Sequence, residues 1–236
     1  MADKKQQDRD RRAKVEEMRR ADQARERRKS LLFIALAVVV GLGLIAAAAV
    51  PAYLKGRNDP AKKALAEFGV PVAAADCDPV QDDPATGGNE HKPDGTVVEY
   101  AEVPPSSGAH WGSPAFPARE FYTRRDRPEM EQLVHNLEHG YTVVWYDDTI
   151  KGDALDELKD IATSAREKDP VSPGSKFVVS AWDDAYGDFP EGKHVAMSHW
   201  GAEQGHRQLC GQVSGAAVND FIEAFPAADS PEPNAQ

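Results

Sequence analysis

Cysteine is scarce in this chain: there are two among 236 residues, Cys77 and Cys210, and they lie far apart. With no CxxC or CxxxC spacing available, a thiol-redox motif and a haem attachment signal are excluded. No G-x-S-x-G elbow is present, and Ser106 and Ser107, though close to His110, fit an ordinary turn. A glycine-rich phosphate loop is missing, as is any internal repeat. Residues 31–53 contain no charged side chain at all, which separates a polar beginning from everything that follows.

That uncharged run, LLFIALAVVVGLGLIAAAAVPAY, is long enough to cross a bilayer as one helix at 1.5 Å per residue. Residues 1–30 hold 12 of the 28 Lys and Arg but only 7 of the 39 Asp and Glu, a net of +5. The basic stretch RERRKS abuts the apolar run, so the positive-inside rule places residues 1–30 in the cytoplasm and the rest outside. A cleavable signal peptide would share the basic and apolar regions, but its apolar core is shorter, about 7 to 15 residues. Arg11-Arg12 and Arg19-Arg20 lie too far from the apolar run for a twin-arginine address. The expectation is an uncleaved single-pass anchor in the cell membrane.

Beyond Ser30 the remaining 16 basic and 32 acidic residues give a net charge of −16. Such a surface repels nucleic acid and attracts cations or basic partners, while solubility alone is the favoured account of it. On the outer side an oxidising compartment favours a Cys77–Cys210 disulfide, with two soft thiolate ligands as the alternative. A bridge over so long a loop is worth about 4 to 5 kcal/mol in the chain-entropy picture.

The exported part reads as a linker and lead-in over residues 54–95, an α+β domain over 96–225 and a disordered tail over 226–236. TVVEYAEV from Thr96 predicts a strand, PPSSGAHWGSP a turn-rich loop, and RPEMEQLVHNLEHG a helix ended by Gly140. YTVVWYDD, KFVVSAWDD and HVAMSHWG predict further strands. DALDELKDIATSAREK and GAAVNDFIEAFP predict two further helices. The order implies a small mixed sheet with helices on one face.

Within this frame HNLEHG, residues 135–140, carries the most chemistry. On a helix His135 and His139 share one face and can grip one metal ion, with Glu138 beside them. The order H-x-x-E-H is also that of one class of zinc peptidase, in which the glutamate is the base. His110, in the glycine-flanked loop, is a candidate third ligand. Met197 and His199, two apart on a strand, project from one face and offer a fourth. Imidazole with thioether favours copper over zinc. The plainer alternatives are that His139 caps the helix terminus, that Glu138 bonds backbone amides of the SSGAH loop, and that Met197 is core. His91 and His206 sit in polar loops and read as solvated. The paired carboxylates Asp147-Asp148 and Asp183-Asp184 follow strands and read as turn residues.

At PPSSGAHW (104–111), LVHNLEHGYTVVWY (133–146) and MSHWG (197–201) the chain resembles a bacterial, largely actinobacterial family, domain of unknown function 3105, over roughly residues 60–233. The resemblance implies a membrane-anchored exported protein and no established activity. The positions matching the family pattern are Ser107, Gly108, His110, His135, Asn136, Leu137, Glu138, His139, Gly140 and Trp200. The late segment departs from an alanine-tryptophan-glycine pattern by reading SHWG, which puts a ligand role for His199 in doubt. Taken together, the residues lead to the expectation of an extracytoplasmic domain that binds a transition metal, copper ahead of zinc, for handling or sensing. The rivals are an envelope scaffold with structural histidines and a metal-dependent hydrolase using Glu138. The sequence identifies no protein partner.

Overall fold

The computed structural model describes residues 2–57, 59–167 and 176–235. Lys168, at the end of one expected helix, and Gln236, in the expected tail, lie outside them. The chain divides into two units, residues 1–58 and 59–236.

The first unit is a single helix, α1 (Ala2–Arg57). Its polar half carries i,i+3 and i,i+4 pairs such as Glu16–Arg20 at 2.8 Å and Glu26–Lys29 at 3.0 Å, each worth a few tenths of a kcal/mol on an exposed helix. Its apolar half exposes Leu31, Phe33, Leu36 and Leu44. The stretch Arg11–Pro51 contains a segment long and apolar enough to cross a membrane.

The second unit is built on a six-stranded mixed sheet. In chain order its elements are β1 (Gln81–Pro84), β2 (His91–Lys92), β3 (His110–Trp111), β4 (Phe121–Tyr122) and α2 (Met130–Glu138), then β5 (Thr142–Tyr146), α3 (Asp153–Glu167), β6 (Phe177–Ala181), β7 (Val195–Trp200), β8 (Gln204–Cys210) and α4 (Gly215–Ala224). The sheet order is β1-β8-β7-β5-β6-β4, while β2 and β3 form a separate parallel pair. β5 and β6 run parallel with α3 as the crossover between them; β7 and β8 join antiparallel on the other side.

The central strands TVVWY and FVVSA are buried along their whole length, so both faces of the sheet must be covered. Alternate residues feed two separate cores. Val144, Tyr146, Val179 and Met197 pack with Leu158 and Ile161 of α3 and Phe221 of α4. Val143, Trp145, Val178 and Trp200 pack with Leu133, Val134 and Leu137 of α2. The α+β class and the mixed sheet follow the sequence reading, but the helices cover both faces and not the one face expected.

Three local expectations are corrected. Residues 96–103 form no strand. The Val98 amide instead donates to the buried carboxylate of Glu131 at 2.9 Å, and Val97 points outward. Five strands lie outside the sequence reading: the two-residue β2, β3 and β4, β1 with the turn-like composition QDDP, and β8, whose alternation is masked by His206 and Arg207. Residues 226–235 hold definite positions against the end of α2, where the Glu232 amide donates to the Glu138 carbonyl at 3.0 Å. Cys77 and Cys210 form a disulfide.

Gly140 ends α2 as its spacing predicted. Its φ is +89°, its amide reaches the Leu137 carbonyl at 2.9 Å, and the Tyr141 amide reaches Asn136 at 3.0 Å, the pattern of a Schellman cap. A Cβ there would lie 2.6 Å from the Ala227 carbonyl oxygen. Gly140→Ala is therefore expected to lower the unfolding free energy by about 2 kcal/mol or more, measured by chemical denaturation, and to loosen residues 227–230.

Candidate metal centre

Four side chains converge beside the C-terminal end of α2. His135 and Glu138 come from the last turn of the helix, where the i,i+3 spacing places them on one side. His110 comes from β3, and His91 from β2, where the parallel register sets it directly opposite His110. One ligand atom from each of the four lies within 4.8 Å of the others. Glu138 Oε2 is 2.9 Å from His110 Nε2 and 3.6 Å from His91 Nε2. The imidazole centroids of His91, His110 and His135 stand 4.7 to 5.0 Å apart.

Backbone carbonyls orient two of the rings. His110 Nδ1 lies 2.8 Å from the Gly108 oxygen and His135 Nδ1 lies 2.6 Å from the Trp111 oxygen. A carbonyl can only accept, so both Nδ1 atoms carry protons and, in the neutral rings, both Nε2 atoms present lone pairs. This outer hydrogen bonding is the arrangement that fixes metal-ligating histidines. His110 and Glu138 are fully buried. His110 Nε2 and Glu138 Oε2, close as they are, make no aligned hydrogen bond. Trp200 closes the site from the sheet, its ring 5.7 Å from that of His110 and nearly perpendicular to it. His91, its side chain 43% exposed, forms the solvent side.

The surrounding loops are tied to the same residues. Glu138 Oε1 accepts from the Asn89 amide at 2.8 Å, which pins the turn leading to β2. Ser107 Oγ accepts from the Thr86 amide at 3.1 Å, and the Asn136 amide group bonds both the nitrogen and the oxygen of Ala115. Gly108, at φ +146°, lies against the Tyr100 ring, where a Cβ would come within 2.8 Å. Ser107, Gly108, Asn136 and Glu138 thus brace the two loops that carry His91 and His110.

Not every residue singled out in the sequence joins the group. His139 stands at its edge, with Nε2 2.9 Å from His135 Nε2 and 3.4 Å from Glu232 Oε2. Met197 lies in the core on the opposite face of the sheet. His199 points to that same face, opposite His206 in the neighbouring strand and near the ring of Phe225. His91, read as solvated, is the addition. Its signal was faint, a lone histidine in a Gly, Asp and Pro-rich segment, and only the β2–β3 register reveals its place.

Burial sets the charge states here. Desolvation, together with the neighbouring imidazoles, lowers His135 to about 4. Burial alone would raise Glu138, but attraction to the His110 and His135 rings when they carry charge, with the Asn89 amide, outweighs it and holds the carboxylate at about 2. Desolvation, with His206, also lowers His199 to about 4.

A six-stranded mixed sheet carrying a histidine and carboxylate cluster, in a chain that also has an apolar helix fit to span a membrane, is the class defined by these features. The chain belongs to the family described as protein of unknown function DUF3105, whose family model matches residues 91–236. The matched segment begins at His91 and contains all four clustered residues. No curated protein and no solved structure matches the chain.

The pH dependence of stability follows from these shifts. A neutral histidine at about 4 in the fold and about 6.5 unfolded makes the unfolded state bind more protons between those values. Stability is therefore full above pH 6.5 and falls as pH drops toward 4, and Glu138 extends the loss toward pH 2. Denaturant unfolding with chelator present should show this slope, and His199→Phe should remove its share between pH 6.5 and 4.

Proposed function

We propose that this protein is a membrane-anchored, extracytoplasmic domain that binds a divalent transition metal through His91, His110, His135 and Glu138. The observation that carries the reading is the convergence of three imidazoles and a carboxylate around one point, with two Nε2 lone pairs turned inward by backbone carbonyls. Lone pairs and a carboxylate oxygen crowded together in a buried site repel one another unless a cation stands between them.

The donor set is three nitrogens and one oxygen, with no thioether. It suits Cu(II) or Zn(II) better than Cu(I), and intrinsic affinity ranks Cu(II) first. The exposed side at His91 is the route by which an ion enters from solvent. With Glu138 Oε1 engaged by the Asn89 amide and Oε2 offered to the metal, the group has no spare carboxylate to serve as base. Metal holding therefore fits better than hydrolysis. The acidic composition of the exported part draws cations toward it.

A second reading has its own support. The 2.9 Å between His110 Nε2 and Glu138 Oε2 is an ion-pair distance, so a protonated His110 would make the cluster a structural brace between two loops and α2. Calorimetric titration of the full chain in detergent separates the two readings. Metal holding requires one Cu(II) or Zn(II) bound at micromolar affinity or tighter. Loss of a ligand in His110→Ala or Glu138→Ala should weaken it more than about 100-fold, beyond the effect of outer hydrogen bonds. Binding only at millimolar metal would establish the brace.

Placement outside the cytoplasm rests on the disulfide, on the apolar helix and on the basic residues before it. The described residues contain no free cysteine, so single introduced thiols report topology cleanly. On intact cells an impermeant maleimide should label Val97→Cys and leave Asp22→Cys unlabelled. The reverse pattern would overturn the orientation.

A further inference from the structure

His135 is asked to do two things with one lone pair. Its Nδ1 proton is committed to the Trp111 carbonyl, so in the neutral ring Nε2 is an acceptor only. With Nδ1 so committed, that acceptor is the atom His135 has left to offer the metal group, and it also lies 2.9 Å from Nε2 of His139. With His135 Nε2 as acceptor, the contact is a hydrogen bond donated by His139. A lone pair cannot serve a metal and a donor at once. Metal ligation by His135 and the His139-to-His135 hydrogen bond therefore exclude each other.

The proton on His139 then needs another acceptor, and the structure holds one in place. Glu232 Oε2 lies 3.4 Å from the same His139 nitrogen. The segment that carries it is fastened to α2 by the Glu232 amide on the Glu138 carbonyl. Lys176 adds a second fastening, its ammonium donating to the carbonyls of His139 at 2.6 Å and Pro233 at 2.7 Å. A partly exposed carboxylate from the C-terminus is thus aimed at the one residue that competes for the His135 lone pair.

We propose that His139 and Glu232 govern loading of the site: His139 competes with the metal for His135, and Glu232 receives the His139 N–H when the metal takes its place. His139 is thereby a positioning residue and not a ligand. Because linkage is reciprocal, metal binding tightens residues 230–235 onto α2, and the C-terminal segment in turn raises metal affinity. The inference rests on the metal-binding reading above.

The test is Cu(II) and Zn(II) affinity of the full chain in detergent for wild type, His139→Phe, Glu232→Ala and the double variant. Phe fills the ring's space without a donor, so His139→Phe should bind about threefold to tenfold more tightly, the scale of one hydrogen bond. Glu232→Ala should bind more weakly by a similar factor, and its effect should vanish in the double variant. Hydrogen exchange should show residues 230–235 gaining protection on metal addition in wild type and not in Glu232→Ala; this readout stands if His139→Phe fails to fold. Weaker binding by a folded His139→Phe would make His139 a ligand and overturn the inference, as would unchanged affinity in both single variants. A wild type that binds no metal would overturn the metal reading and this inference together.

Discussion

The carboxylate of Glu138 is the constraint on which the functional end of this domain depends. A fully buried carboxylate must be compensated on every side, and each compensation recruits a different part of the chain. The Asn89 amide brings the turn before β2, the His110 ring brings β3, and the carbonyl of the same residue receives Glu232 from the C-terminus. Segments far apart in sequence meet at one residue on the last turn of a nine-residue helix. That helix is itself anchored by Leu133, Val134 and Leu137 against the tryptophan-rich face of the sheet.

The two-faced sheet explains the location of the cluster. The face under α3 and α4 is filled with aliphatic and aromatic side chains. The face under α2 is partly covered by irregular loops whose polar backbone must find partners. Glu131, also fully buried on α2, shows the same solution in a second place, accepting from the Val98 amide and the Tyr186 hydroxyl. Carboxylates on α2 thus do for the loops what neighbouring strands do elsewhere.

Much of this was legible in the sequence, for identifiable reasons. The apolar run of residues 31–53, the period of α2, α3 and α4, the Gly140 cap and the Val-rich central strands all carry local signals strong enough to read directly. His110, His135 and Glu138 were found because imidazoles and a carboxylate at helical spacing stand out. The edge strand β1 and its neighbour β8 escape such a reading because strands rich in polar residues resemble loops, and residues 96–103 depart from it because β-branched composition does not supply a neighbouring strand. Met197 and His199 were grouped with the site since strand period predicts that they share a face, but it cannot say which face. His91 was lost for the converse reason: its partner is set by a two-residue pairing that leaves no periodic trace.

The Cys77–Cys210 bridge closes a covalent loop 133 residues long in sequence separation, and His91, His110, His135 and Glu138 all lie inside it. Any tension between the helix at the N-terminal end of the chain and the C-terminus is carried across the sulfur bridge. The enclosed segment is bypassed. The backbone that carries the cluster is thereby off the covalent path of that tension, while Glu232, beyond Cys210, lies on it and touches the cluster only through hydrogen bonds that can give way.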